Sequence, residues 1–418
     1  MSEVADGLPA SDTADVVVVG AGPAGLVSAI AAARQGLSVQ VLDRRRAPID
    51  KACGEGLMPD AVAILEDLGV ELLRRRPIAG IRYLSDDLVA EGRFPTRPGL
   101  GVRRVDLHRA LLGRALDLGI EVRGSSPVIG LHRRSSGDGP PRWVVRTDEG
   151  VLAPMWVVGA DGLHSPMRRW SGLARPARRG ATPRFGIRRH VRIEPWTDLV
   201  EVHWSDHGEA YVTPVADDEV GVAILWSRPR APNGDGSTGD VFEARLRAFP
   251  ALAARLAGAP PTSRPMAAGP LRQRTAGVVD GNLALVGDAG GYVDAITGEG
   301  MALAFHQALD LATALVRGDL APYAKAQARH RRVPDLFTEA TLAMARHPGL
   351  RRLNLSVLAA TPALFDRILA VHAQEAGLWT LPSATVVRVA DRLRRPVDER
   401  DERDGREPSA TRPAAHPR

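Results

Sequence analysis

The sequence predicts an α/β fold: a parallel sheet flanked by helices, with an inserted mixed or antiparallel β-sheet and a helical C-terminal part. Three observations carry this. Apolar strand-like runs alternate with helical stretches from Asp15 to about residue 75, and the pattern returns after residue 104. Between the returns lie short β-branched or aromatic runs bounded by turn residues, Gly186–Ile193, Val200–Trp204, Ala210–Pro214 and Val220–Trp226. Residues 238–257 read as helix, and residues 322–395 are mostly amphipathic helix. The interleaving implies one α/β domain assembled from residues 13–77, 102–182 and 272–335. A β-rich substrate domain is inserted as residues 78–101 and 183–271. A helical region follows over 336–395, and residues 1–12 and 396–418 read as disordered tails.

The composition bounds the function. Of 418 residues, 44% are hydrophobic and 25% charged, which suits a globular chain. The net charge is +6 and the pI about 10.1, so nucleic-acid binding is the first class to test. It fails: Lys51 and Lys325 are the only lysines, the arginines are scattered in pairs and triplets, and aromatic residues make up only 4%. Cys53 is the single cysteine, which excludes an internal disulfide and a cysteine-based metal site. No metal is expected. The first dozen residues lack an apolar signal core. The most apolar stretch, Val16 to Ala33, is broken by Gly20, Gly22, Pro23 and Gly25, which argues against a transmembrane helix. A cytoplasmic protein is expected.

The first element is the apolar strand Val16–Val19, which runs into Gly20-Ala21-Gly22-Pro23-Ala24-Gly25. A helical run to Gln35 stops at Gly36, and a second strand ends at Asp43. This is a Rossmann-type dinucleotide fingerprint. Gly20 permits the tight turn, Gly22 the approach of a pyrophosphate, and Gly25 close helix–strand packing. The helix N-terminus offers N–H groups to phosphate, and Asp43 stands where a ribose diol would be read.

Two later elements narrow the choice of nucleotide. Asn282–Val286 is a buried-strand run followed by Gly287-Asp288-Ala289, then Thr297-Gly298-Glu299-Gly300 and a long apolar helix from Met301. A glycine-opened helix aimed at the negative charge of a reduced flavin favours its reduction. Val157-Val158-Gly159-Ala160-Asp161-Gly162, with Ser165, reads as a strand ending in a loop over the same cleft. Jointly these motifs resemble the para-hydroxybenzoate hydroxylase-like flavoprotein superfamily over residues 14–320. That superfamily includes group A aromatic monooxygenases, geranylgeranyl reductases and flavin-dependent halogenases.

The resemblance implies a Rossmann-type FAD-binding domain. It places Asp43 on the adenosine ribose, Asp288 on the ribityl or pyrophosphate side, Asp161 behind the cleft and Arg104 near the pyrophosphate. It adds Arg44, Cys53, Gly54, Val128, Gly287, Gly298, Gly300 and Met301 to the expected FAD contacts, beside Gly20, Gly22, Pro23, Ala24 and Gly25. Arg104 also reads as a solvated helix-start arginine, and Asp161 as an ordinary turn aspartate. No second GxGxxG follows, so NAD(P)H is expected only as a transient reductant. The lack of a CxxxxC pair excludes a disulfide reductase.

Asp50-Lys51-Ala52-Cys53-Gly54-Glu55-Gly56 resembles the Cys-Gly-x-Gly segment of the geranylgeranyl reductase branch. There Cys53 is a candidate proton donor or redox-sensitive thiol; the plainer reading is a small residue packed under a loop. His190, Glu201, His203, Trp204, Glu209 and Tyr211 are candidate pocket-lining groups, with Glu201 and His203 on one strand face and Val202 and Trp204 on the other.

The leading expectation is an FAD-dependent monooxygenase that uses NAD(P)H and O₂ to hydroxylate an aromatic or polyketide-derived phenolic molecule through a flavin C4a-hydroperoxide. The alternative is a reductase of isoprenoid C=C bonds. A halogenase is less favoured, because the Trp-x-Trp-x-Ile-Pro signature is absent, and a non-enzymatic FAD-binding protein comes last. The substrate is expected to be hydrophobic or aromatic, and Leu353–Leu378 could cover a lipophilic tunnel or touch a membrane surface.

Overall fold

The computed structural model describes residues 14–136, 139–227 and 238–381. Everything below lies in a unit that ends at Ala376. A second unit starts at Gly377, and its described part is one short turn, Leu378–Thr380. The tails expected at 1–12 and 396–418, and the helix expected beyond residue 381, lie outside the described residues.

The parallel sheet forms where the sequence is apolar on both strand faces. β1 (Val16–Val19) is buried throughout and pairs in parallel with β2 (Val39–Leu42) and β12 (Trp156–Gly159). β8 (Glu121–Arg123) and β21 (Leu283–Leu285) extend it in parallel, and β20 (Val279–Asp280) closes one edge antiparallel. Such strands need cover on both sides. α1 (Pro23–Arg34) lies against β1 and β2, with α3 (Arg104–Asp117) and α7 (Gly300–Arg317) beside it. An antiparallel sheet of β9 (Val128–Ser136), β10 (Gly139–Thr147) and β11 (Val151–Leu152) adds Leu131, Trp143 and Val145 to the same core. Each fully buried valine of β1 contributes about 1.5–3 kcal/mol.

The second sheet is mixed. Its order is β18 (Met266–Ala268), β14 (Arg184–Arg192), β17 (Glu219–Ser227), β16 (Gly208–Ala216), β15 (Leu199–Ser205), β5 (Gly80–Ser85) and β6 (Leu88–Arg93). All its pairings are antiparallel except β5 with β15. The stretch 78–101 is divided between sheets. Its end, β7 (Gly99–Gly101), pairs instead with β3 (Gly56–Leu57) and β4 (Arg76–Ile78), where the missing side chain of Gly101 admits the Pro214 carbonyl. β13 (Ala174–Arg175) and β19 (Arg274–Thr275) form a further pair, and the short helices α2 (Pro59–Asp67) and α4 (Pro166–Trp170) complete the first domain.

Alternation along β14 explains how the two domains join. Ile187 and Val191 face α5 (Thr238–Leu246) and α6 (Pro250–Arg255), packing with Phe242, Leu246 and Leu252. Arg184, Arg188 and His190 face the other way and are all buried. On that side of the sheet, Val202 and Trp204 pack with Leu163, Ile296, Leu342 and Leu355. The last two come from α8 (Ala321–Arg346) and α9 (Pro348–Ala360). α8 runs unbroken through Pro334, across the boundary at residue 335 that the sequence suggests. α10 (Pro362–His372) follows α9 at a 105° bend, and no single described helix is long and apolar enough to cross a membrane.

Candidate functional site

The glycine turn is built by close approach. Gly20 has φ +111°, and a Cβ there would lie 2.5 Å from the Ala160 carbonyl oxygen; a Cβ at Gly25 would overlap the Gly20 carbonyl. Gly22 differs: the nearest atom to its Cβ position is Arg104 Nη2, at 3.9 Å. The turn is braced from two sides. Asp43 Oδ2 accepts the Ala21 N–H at 2.9 Å, and Oδ1 accepts the Arg45 N–H at 2.8 Å. Each oxygen keeps a lone pair for a further donor. Arg45, not Arg44, contacts Asp43; Arg44 is exposed beside it. Buried His108 donates from Nε2 to the Ala21 carbonyl at 3.0 Å, and burial lowers its pKa. A neutral imidazole under the loop adds no charge to the turn. Pro23 and Ala24 open α1, with Pro23 in the first turn, where its missing N–H costs nothing.

Arg104 is the electrostatic feature of the loop. No carboxylate pairs with its guanidinium among the described residues. Nη1 contacts only Met301 Sδ, at 3.8 Å, and Nε is buried without a partner. An unpaired, half-buried cation facing an open glycine cradle at a helix N-terminus is the donor set a diphosphate requires. The residues therefore fit a dinucleotide cofactor. Gly300 opens α7 next to Met301, with Gly298 exposed at φ +74° just before it. Val128 opens β9 two residues after Ser126, whose N–H donates to the Asp43 carbonyl at 2.9 Å.

The Gly287-Asp288 turn packs onto this loop. A Cβ at Gly287, φ +59°, would meet Ala24 Cβ at 2.8 Å. Gln307 Oε1 accepts the Gly287 N–H at 3.0 Å. Buried Arg168 holds the turn from behind, donating to the carbonyls of Asp288 (3.0 Å), Ala289 (2.9 Å) and Leu163 (2.8 Å). Asp161 Oδ2 accepts the Met167 N–H at 2.9 Å, and burial pushes its carboxyl pKa up. Burial pushes Asp288 up as well. The Lys51 ammonium at 3.0 Å, with Arg104 and Arg168, more than offsets this and holds Asp288 below the usual carboxylate range.

The Asp50–Gly56 segment thus reaches from Asp288 to the second sheet. Cys53 is half-buried, and its Sγ accepts the Glu55 N–H at 3.4 Å. Gly54 is exposed with open space at its Cβ position, and its carbonyl accepts from Thr213 Oγ1 at 2.8 Å. Glu55 is 1% exposed, receives His190 Nε2 at 2.5 Å, and accepts the backbone N–H of Arg104 at 2.8 Å.

The remaining candidates sort by face. Glu201 and His203 pair at 3.1 Å, with Arg82 on Glu201, while Val202 and Trp204 join the apolar cluster. Glu209 is locked in a buried triad with Arg184 and Asp294, and Tyr211 donates to the Ile296 carbonyl at 2.7 Å. Glu209, through Arg184 and Asp294, and Tyr211 hold the loop before α7, while Glu201 and His203 lie on the opposite face of the sheet; all are engaged in pairs rather than free acids or bases. Glu55, His108, Arg168, Arg184, Arg188 and Asp294 are among the site residues that sequence reasoning missed. Among the described residues no cluster of His, Cys, Asp and Glu is placed to hold a metal.

A glycine cradle, an unpaired arginine and a second Gly–Asp turn converging on one cleft define a dinucleotide-binding oxidoreductase. The sequence matches the family described as FAD binding domain over residues 13–319; the chain belongs to that family and is an FAD-dependent oxidoreductase. It is 30% identical over 319 residues to menaquinone reductase of Mycobacterium tuberculosis, covering 69% of this chain and 73% of the relative. It is 26% identical over 321 residues to digeranylgeranylglycerophospholipid reductase 1 of Methanococcoides burtonii, covering 71% and 73%. The fold is shared with the flavin-dependent halogenase CmlS (TM-score 0.70, 22% identity, 80% of this chain and 64% of that one). It is also shared with a flavoprotein/dehydrogenase from Cytophaga hutchinsonii (TM-score 0.72, 19% identity, 86% and 92%).

Proposed function

We propose that this flavoenzyme reduces C=C bonds in the isoprenoid chain of a lipid substrate, with Cys53 as the proton donor. The observation that carries the reading is the placement of the sole thiol. It lies on a segment tied at one end to Asp288 through Lys51 and at the other to the second sheet through Glu55 and Thr213. The two reductases named above support it, since both names denote isoprenoid lipids. An aromatic monooxygenase, the first expectation from sequence, gives way to the reductase. The similarity to rifampicin monooxygenase of Streptomyces venezuelae spans only 39% of the chain, against 69% for menaquinone reductase.

Gly22, Arg104 and the α1 N-terminus would hold the pyrophosphate, Asp43 the ribose, and Asp288 the ribityl side. Bound and reduced, FAD supplies hydride; NAD(P)H is the proposed transient reductant. Cys53 gives its proton to the second alkene carbon, and the Glu55 N–H at Sγ stabilises the thiolate left behind. Val202, Trp204, Ile296, Leu342 and Leu355 are buried against one another on the side of the second sheet that also carries Arg188 and His190, an apolar layer that keeps water from that side.

The test is anaerobic turnover of reduced enzyme with a polyprenyl quinone or a geranylgeranyl lipid, read by mass. A gain of two hydrogens per reduced bond, abolished in Cys53→Ala with FAD binding retained, is the expected result. Strict dependence on O₂, with oxygen found in the product, overturns the reading.

A further inference from the structure

The mechanism so far uses the thiol of Cys53 and the guanidinium of Arg104, but not the buried groups between them. Glu55 has φ +62°, a left-handed conformation that side-chain-bearing residues rarely adopt, so the surroundings must hold it there. They do so through both carboxylate oxygens. Oε1 accepts the Arg104 N–H at 2.8 Å and lies 3.5 Å from Arg188 Nη2; Oε2 receives His190 Nε2 at 2.5 Å. The far side of the imidazole fixes its tautomer. Arg188 Nη1 stands 3.2 Å from His190 Nδ1, and a guanidinium can only donate, so Nδ1 carries the lone pair and Nε2 the proton. Ser263 completes the set: its Oγ accepts the His190 backbone N–H at 3.0 Å and lies 2.8 Å from Nδ1. Arg188 itself is anchored on Asp50 at 2.5 Å and on the Lys51 carbonyl at 3.0 Å. Arg188, His190 and Glu55 are each no more than 1% exposed.

We propose that Glu55 and His190 are positioning residues. As a buried carboxylate–imidazole couple, they fix the Cys53–Gly54 turn and the start of α3 in one arrangement, so that thiol and pyrophosphate arginine are set by a single anchor on β14. The thiol half rests on the reductase reading; the arginine half does not. The couple needs two acceptors on residue 55. A glutamine there turns an N–H₂ toward either the Arg104 N–H or the imidazole N–H, donor against donor.

The experiment measures two quantities that need no substrate: the alkylation rate of the chain's only cysteine by iodoacetamide at fixed pH, and the Kd for FAD. Glu55→Gln and His190→Phe should each speed alkylation by about tenfold or more and raise the Kd for FAD about tenfold, one lost buried hydrogen bond freeing the turn. His190→Gln, whose amide keeps a donor toward Glu55, should restore both values to within about threefold of wild type. Should the first two variants not fold, Ser263→Ala decides. It removes only the outer bonds of the half-buried rim and should speed alkylation by about threefold. Overturning results are an alkylation rate and FAD affinity within twofold of wild type in Glu55→Gln and His190→Phe, or no rescue by His190→Gln, or no change in Ser263→Ala. Loss of isoprenoid reduction with these values as expected would leave the anchor standing; their failure in an active reductase would remove the anchor and keep the function.

Discussion

Replacing Arg104 with alanine separates cofactor binding from folding more cleanly than any other change. The guanidinium has no carboxylate partner among the described residues; its one polar contact is Met301 Sδ at 3.8 Å, and Nε is buried and unsatisfied. Truncation therefore removes no strong contact from the cofactor-free protein, and its urea midpoint should stay within experimental error or rise. The backbone N–H of residue 104 still donates to Glu55, so α3 keeps its start. FAD binding behaves differently. A guanidinium–phosphate hydrogen bond contributes about 1.5–3 kcal/mol, which at about 1.4 kcal/mol per decade predicts a rise in Kd of about 10- to 150-fold. Arg104→Lys keeps the charge but loses the planar fork and should fall between wild type and alanine. Flavin fluorescence quenching on titration with FAD gives the Kd, and urea titration of the cofactor-free protein gives the control. An unchanged Kd would show that the open cradle at Gly22 is not where the diphosphate lies; an equal loss of stability and affinity would show that Arg104 acts through the fold.

Three further changes probe the site. Gly22 has φ −69°, and its Cβ position is clear to 3.9 Å, so Gly22→Ala should fold and yet lose FAD, whereas Gly25→Ala, overlapping the Gly20 carbonyl, should not yield folded protein; equal FAD retention in Gly22→Ala would refute the cradle. Lys51 depresses the pKa of Asp288, so their pairing stabilises the fold fully above the ordinary aspartate value of about 3.9 and fades as pH falls through the lower folded value. The stability gap between wild type and Lys51→Met, read from urea midpoints, should narrow below about pH 4, and a gap independent of pH would contradict the pairing. Arg184→Met strands the carboxylates of Glu209 and Asp294, each under 10% exposed, and should cost about 3–5 kcal/mol by chemical denaturation; a loss under about 1 kcal/mol would mean the triad is not charged.

The parts of the fold that were legible are those written in local pattern. The first strand, glycine turn and helix announce themselves because strand burial, turn geometry and helix packing each impose a residue type within one short span. The strands of the second sheet were legible from alternation and turns, and β14, β15, β16 and β17 fall where those runs occur. The division of residues 78–101 between two sheets was not legible. It depends on Gly99 and Gly101 admitting backbone from distant segments, which no local pattern encodes. α8 passes through Pro334 for a similar reason: tertiary packing of Thr338 and Leu342 outweighs a local helix breaker.

The same distinction explains the site. Motif residues were named from local spacing and from the family resemblance that spacing carries, but the groups that fix them lie far away in sequence. Arg188 reaches Asp50 across 138 positions, His190 reaches Glu55 across 135, and Arg184 reaches Asp294 across 110. One signal was nevertheless present. In Arg184-Phe-Gly-Ile-Arg-Arg-His-Val-Arg192, one face carries Arg184, Arg188, His190 and Arg192 with only Gly186 neither charged nor titratable between them, while the other carries Phe185, Ile187 and Val191 beside Arg189. On a strand inside a seven-stranded sheet, such a face must find partners or forfeit its burial. It finds Asp50 and Glu55 on the thiol segment, and Asp294 on the loop that leads into α7. A single strand of the inserted domain thereby anchors both segments that border the cofactor cleft. Substitutions on that face of β14 should consequently alter flavin binding from outside the family motifs, a coupling that spacing rules within residues 14–43 or 282–300 cannot express.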